Sequence, residues 1–148
     1  MSQEISNQHV QTESLTHKTF GFWFLIVGSI IFTQAVRIFI LNQGLNIFLN
    51  DKFAFSLNIP ASISYTLYFF VFIFIIRHLY LNWHEIHFAP RLGLLLVLSG
   101  GVANLIERLW FGYVVDYIFI LNGVMNLADI YIIVGAIMLL VSQVHKRE

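Results

Sequence analysis

Long runs of apolar residues, broken by short polar connections, set the pattern of this chain. A helix crosses the hydrocarbon core of a bilayer with about 20 apolar residues, in a range of roughly 17–25. Four runs reach that length: about Phe20–Ile40, interrupted late by Arg37; about Ile59–Ile76; about Leu92–Leu109, ending on Glu107 and Arg108; and about Leu127–Val144. Backbone inside hydrocarbon must satisfy its hydrogen bonds within the segment, so each run is expected to be a helix. The pattern predicts an all-α integral membrane fold of four transmembrane helices, with small loop and β elements outside the bilayer. One domain is expected over residues 20–148, after a mobile polar tail over 1–19 rich in Ser, Gln, Thr and His. The first run is too long for a signal-peptide core, follows about twenty residues that are polar rather than basic, and is followed by no small-residue cleavage site. It is read as a retained helix.

Composition agrees. Of 148 residues, 58% are hydrophobic and 11% are charged, whereas soluble domains carry about 25% charged residues. Eight basic residues balance eight acidic ones, so no positive field exists to attract nucleic acid. The chain has no cysteine, which excludes disulfides, thiolate nucleophiles and cysteine-held metal centres. An even number of spans puts both termini on one side. Lys18, Arg77, Arg91, Lys146 and Arg147 then oppose Arg37, Lys52 and Arg108, a bias that favours cytoplasmic termini. Loops Leu41–Asn58 and Trp110–Asn126 consequently face outward, while the linker His78–Pro90 lies at the cytoplasmic face. That linker holds His84, Glu85 and His87, in an order unlike His-Glu-x-x-His and without zinc-site spacing. It is read as a solvated loop, and no metal or other cofactor is expected.

Two acids stand out, Asp116 in Val114-Val-Asp and Asp129 in Asn126-Leu-Ala-Asp. Each adjoins a membrane run, where an ionisable group is a functional candidate by default. Asn126 or Asp129 also has a structural reading, as a cap on the first turn of the fourth helix. In the third run, the small residues of Ser99-Gly100-Gly101 suit close helix packing. Asn104 and Arg108 follow on one helical face, four positions apart, with Arg108 able to present several donors to an acidic site or to end as a snorkelling interfacial charge.

These blocks resemble lipoprotein signal peptidase, the type II signal peptidase of bacteria. That family carries Gly-x-x-x-Asn-Leu-x-Asp-Arg, Val-Val-Asp and Asn-x-Ala-Asp in this order. Here they read Gly100-Gly-Val-Ala-Asn104-Leu-Ile-Glu107-Arg108, Val114-Val-Asp116 and Asn126-Leu-Ala-Asp129. The family's outward-loop signature, Asn-x-Gly-x-x-Phe-Ser, is matched by Asn50-Asp-Lys-Phe-Ala-Phe55-Ser56, with Lys52 in place of Gly; an alternative placement on Asn42-Gln-Gly44 is the weaker match. The family's Asp-Gln-x-x-Lys in the first helix reads Thr33-Gln34-Ala-Val-Arg37, and Glu107 replaces the block Asp.

The resemblance implies an aspartyl endopeptidase that needs no cofactor. Asp116 and Asp129 would be its catalytic pair, with either one holding the shared proton. Asn50, Phe55, Gly100, Asn104, Arg108 and Asn126 would bind substrate or orient that pair. Its partners would be prolipoproteins bearing a diacylglyceryl-modified cysteine, together with membrane lipid, and it would function as a monomer in the bacterial cytoplasmic membrane. The departures fall on residues implied in positioning and spare both acids. The competing readings are a catalytically degenerate relative and a small transporter-type membrane protein using its carboxylates as ion sites.

Overall fold

The computed structural model describes residues 23–52, 59–83, 85–121 and 123–144. The expected tail over residues 1–19, together with Phe55, lies outside the described residues. Helix α1 is described over Trp23–Asn42 and is followed by β1 (Phe48–Asn50), α2 (Ala61–Asn82) and α3 (Phe88–Phe111). Three short strands, β2 (Val114–Asp116), β3 (Ile118–Ile120) and β4 (Gly123–Met125), lead into α4 (Leu127–Val144). All four helices are long and apolar enough to cross a membrane. The chain is an all-α membrane protein with two small antiparallel ladders, β1–β2 and β3–β4.

The fourth predicted span matches α4 at both ends, but α2 and α3 overrun their apolar runs. Helix α2 continues past Ile76 through Arg77 and His78 to Asn82, and α3 begins at Phe88 rather than Leu92. The expected linker His78–Pro90 therefore shrinks to Trp83–His87. Two local features account for this. Asn82 Nδ2 donates to the His78 carbonyl at 3.2 Å, closing the last turn of α2. Pro90 sits in the first turn of α3, where a missing N–H costs no intrahelical hydrogen bond.

Helix α3 is the central element. Over half of its apolar window is buried, against less than a fifth in each of the other three. Ile26, Ile75, Leu79, Leu94, Leu95 and Leu98 join α1, α2 and α3 in an apolar cluster near the end of the bundle away from the strands. Against α4 the packing is backbone to backbone. A Cβ on Gly93 would lie 2.9 Å from the Gly135 carbonyl oxygen, and one on Gly100 would collide with the Ala128 carbonyl and sit 2.9 Å from Ile132. Lipid tails are as apolar as leucine, so helices in a bilayer gain from such close van der Waals contact rather than from hydrophobic burial.

Gly100 thus has the packing role its setting suggested, and it also sets the height of α4 beside α3. G100A should lower the thermal midpoint in detergent, with about 1–3 kcal/mol lost to overpacking. G28A, at a position with nothing within 4 Å among the described residues, should not lower the midpoint. Equal midpoints for the two variants would remove this account of the α3–α4 contact.

Helix α3 ends on Gly112, at φ 82°, whose N–H bonds to the Arg108 carbonyl at 3.0 Å. Glycine takes this left-handed cap without the clash that a Cβ brings. The chain then turns directly into β2, which holds Asp116 against the last turns of α3.

Candidate functional site

Strand β2 is buried throughout, and Asp116 is only 1% exposed behind Val114 and Val115. Its partner strand β1 comes from the connection between α1 and α2. In that ladder Phe48 faces Asp116 and Asn50 faces Val114, so Asn50 is the diagonal neighbour of Asp116. Asn50 Nδ2 donates to Asp116 Oδ2 at 2.9 Å, and its Oδ1 accepts from the Lys52 N–H at 3.1 Å. Asn42, the alternative match to the outward-loop signature, instead ends α1.

The second acid belongs to the first turn of α4. Asn126 precedes the helix, and its Oδ1 accepts from the Asp129 N–H at 3.0 Å. Asp129 Oδ2 accepts from the Asn126 N–H at 3.1 Å. This reciprocal pair is a capping box with Asn and Asp in the two roles, and it puts a negative carboxylate at the positive end of the helix dipole. The capping expectation for Asn126 and Asp129 therefore holds. The same two residues also reach further.

Asn126 Nδ2 donates to Asp116 Oδ1 at 2.9 Å and to Asn104 Oδ1 at 3.1 Å, while Asn104 Nδ2 donates to Asp129 Oδ1 at 2.8 Å. One network thus joins two carboxylates from two different elements. Asn104 and Asn126 are almost completely buried, and Asp129 is half-buried. Among the described residues, all four carboxylate oxygens accept one hydrogen bond, every donor being a neutral amide. Each acid is thereby held in a fixed orientation with lone pairs to spare.

Burial pushes the Asp116 carboxyl up to about 6 from its ordinary 3.8. The Asn50 and Asn126 amides pull it down, the charge of Asp129 pushes it up, and Arg108 pulls it down. The two acids therefore feel each other, and burial makes Asp116 reluctant to ionise.

Arg108 shares its helix face with Asn104, yet among the described residues it makes no hydrogen bond to either aspartate. Nη1 donates to the Tyr68 hydroxyl at 3.2 Å and Nη2 to the Lys52 carbonyl at 2.9 Å. It braces α2 and the segment after β1 against α3. Lys52 serves here through its backbone, and among the described residues only Leu121, not Lys52, is a non-glycine with positive φ. The lysine in place of the family glycine therefore meets no left-handed backbone requirement.

Residues from the first helix enter as well. Thr33, in place of the family acid, is buried and donates to the Ser29 carbonyl at 2.8 Å. Gln34 Nε2 donates to Glu107 Oε1 at 3.3 Å, and Arg37 Nε lies 3.4 Å from Glu107 Oε2, outside hydrogen-bond geometry. The Arg37 guanidinium also lies 4.2 Å from the centre of the Phe111 ring. The same Glu107 Oε2 accepts from the Val115 N–H at 3.0 Å, one residue before Asp116. Sequence reasoning marked Glu107 and Arg37 only as departures and missed Tyr68 and Tyr117. The Tyr117 hydroxyl accepts from the Leu127 N–H at 3.2 Å, tying the residue after Asp116 to the start of α4. Tyrosine hydroxyls in an apolar run were the available signal, but Tyr65 lies in the same run and nothing local singles out Tyr68. His84 lies outside the described residues, and His87 precedes α3 without a side-chain cap.

The family model for signal peptidase II matches residues 23–145. Lipoprotein signal peptidase of Clostridioides difficile (strain 630) is 43% identical over 63 residues, covering 40% of this chain and 43% of that protein. The protein of the same name from Streptococcus pyogenes serotype M1 is 42% identical over 66 residues, covering 42% of this chain and 43% of that relative. The matched stretch thus spans less than half the length of either relative. A solved structure described as a bacterial membrane enzyme shares the fold, with a TM-score of 0.70 at 19% identity over 86% of this chain and 90% of that one. The family match runs from the first described helix to the end of the last, across every residue of the network above, and the chain belongs to the signal peptidase II family.

Proposed function

We propose that this protein is an intramembrane aspartyl endopeptidase that removes signal peptides from diacylglyceryl-modified prolipoproteins, cutting before the lipidated cysteine. The observation that carries the reading is the pair of aspartates joined through Asn126 and Asn104. Family membership and relatives named lipoprotein signal peptidase support the substrate class.

An amide carbonyl is a weak electrophile, and amide hydrolysis needs both a base for water and an acid for the leaving nitrogen. Asp116 is the acid in this reading, because burial and the neighbouring charge favour its protonated form. Asp129 takes a proton from water as the water oxygen bonds to the scissile carbonyl carbon. Asp116 hydrogen-bonds the carbonyl oxygen, then gives its proton to the departing nitrogen as the C–N bond breaks. The products are a signal peptide with a new carboxylate and a lipidated cysteine with a free amine. Asn50, Asn104 and Asn126 keep the two carboxylates in place. Arg108 holds α2 and the segment after β1 over the site, and the lipid chains stay between helices.

The active site is assigned to the extracytoplasmic face, with cytoplasmic termini and a monomeric functional unit. The loop-charge bias supports that orientation.

The test is cleavage of a diacylglyceryl-modified prolipoprotein by the purified protein in lipid, followed across pH. Cleavage should occur before the modified cysteine and be absent with the unlipidated precursor. With Asp116 as the acid, the active form carries its proton. kcat/KM should then fall about tenfold per pH unit on the alkaline side of about 6. Bound substrate excludes water and raises the limb for kcat above the limb for kcat/KM. A kcat/KM that instead rises with pH through about 6 would remove Asp116 from the role of acid. No cleavage of the lipidated precursor would leave the degenerate-relative reading in its place.

A further inference from the structure

The connection between the two aspartates is apolar where a solvent loop would be polar. From Tyr117 to Ala128 it contains no charged residue. Its centre is the β3–β4 hairpin, in which Ile118 pairs with Met125, Phe119 with Val124 and Ile120 with Gly123. The ladder closes at Ile120–Gly123, and the residue after the last paired one in so tight a hairpin takes positive φ, a position that favours Asn, Asp or Gly. Leu121 occupies it at φ 39° and is fully exposed. Phe119 and Ile120 beside it are 58% and 43% exposed. A bulky side chain in the left-handed region is disfavoured, and a fully solvated leucine gains nothing in water. The exposure of Leu121, shared with Phe119 and Ile120, points to an apolar environment at the tip.

Exposed apolar side chains on the four helices face lipid and need no other explanation. The hairpin lies outside those spans, but close to them. It joins the end of α3 to the start of α4, and the exposed Trp110 in the last turn of α3 marks the same end of the bundle. Aromatic side chains favour that boundary. Three-residue strands carry the tip about 10 Å from its base, within reach of the headgroup region.

We infer that the Phe119–Leu121 tip of the β3–β4 hairpin inserts into the bilayer leaflet at the site's end of the bundle. The hairpin is then a membrane anchor. Only Tyr117 lies between β2 and β3, and only Asn126 between β4 and α4. Tyr117 N–H closes the base on the Met125 carbonyl at 3.0 Å. Docking the tip therefore fixes the base that carries Asp116 on one side and Asn126 on the other. The inference rests on the membrane fold alone and stands whether or not the peptidase reading does.

The cysteine-free chain makes the test direct, since a single introduced thiol is the only one. Nitroxide labels on L121C and, separately, F119C should be compared in substrate-free proteoliposomes with D51C in an exposed loop and L140C on an exposed face of α4. Collision with oxygen relative to a water-soluble nickel complex should be several-fold higher for both hairpin labels than for D51C, approaching L140C. The F119C label keeps the test intact if substitution at 121 disturbs the turn. A ratio equal to that of D51C for both labels would place the tip in water and overturn the inference. Low collision with both reagents would place it against protein and overturn it equally. Without substrate present, the lipid contacted is the bilayer and not a substrate's acyl chains.

Discussion

D116N and D129N are each expected to reduce kcat for prolipoprotein cleavage by at least about 10²–10⁴-fold, the range associated with losing a positioned general acid or base. The double variant should be little worse than either one alone. A dyad works as a unit, so the second loss removes a group that no longer has a task. Full cleavage by either single variant would end the aspartyl mechanism. The substitutions are close in shape, yet each converts an acceptor oxygen into an amide that faces an existing donor. D129N also removes the charge from the N-terminal turn of α4, at a cost of about 1 kcal/mol.

Stability separates chemistry from misfolding in these variants. The folded-state pKa of Asp116 is raised to about 6 from 3.8. The folded state therefore holds this proton more tightly than the unfolded chain does. Its contribution to stability is complete below about 3.8 and is lost as pH rises through about 6. D116N has no such proton. Its thermal midpoint should lose the component of alkaline decline that the parent shows between pH 4 and 7. A D116N protein that is inactive, folded and flatter in pH would tie the loss to the carboxyl itself. If the two proteins share one pH–stability profile, Asp116 does not carry the shifted proton.

The parts of this molecule that were legible in the sequence are those governed by short range. Uninterrupted apolar runs located four helices, because hydrocarbon leaves the backbone no other solution. Asn126 and Asp129 lie three apart, so their capping contact was readable, as was the common face of Asn104 and Arg108. The helix ends were less legible. Hydropathy falls at the membrane boundary, but helical hydrogen bonding does not, and α2 runs on through Arg77 and His78. Spacing gave the face of Arg108 but not the reach of its long side chain, which ends on Tyr68 and Lys52. The β1–β2 pairing joins positions more than sixty residues apart, and no local pattern fixes that register. The contact from Asn50 to Asp116 follows from it and was expected only through family resemblance.

The substitutions in the first helix gain a physical account through Glu107, and E107A should be the most destabilising single change at this end of the bundle. Glu107 is 2% exposed and lies beside Arg37, itself 8% exposed. Truncating one member of a buried pair leaves an uncompensated charge, at a cost of about 3–5 kcal/mol. The Val115 N–H loses its acceptor as well, and Asp116 follows it in the chain. E107A should accumulate poorly or unfold at a markedly lower temperature. E107Q keeps an acceptor for Val115 but gives up the charge opposite Arg37, and should fall between E107A and the parent. R37A tests the coupling. Removing the arginine from E107A removes the orphaned charge, so the double variant should be more stable than the sum of the two single losses predicts. Strict additivity would mean that Arg37 and Glu107 act independently. In that case Thr33, Arg37 and Glu107 would be separate departures rather than one rearranged contact between α1 and α3. With Thr33 bonded back to Ser29, Glu107 is the acid that meets Arg37, and its side chain reaches both the first helix and the strand that carries Asp116.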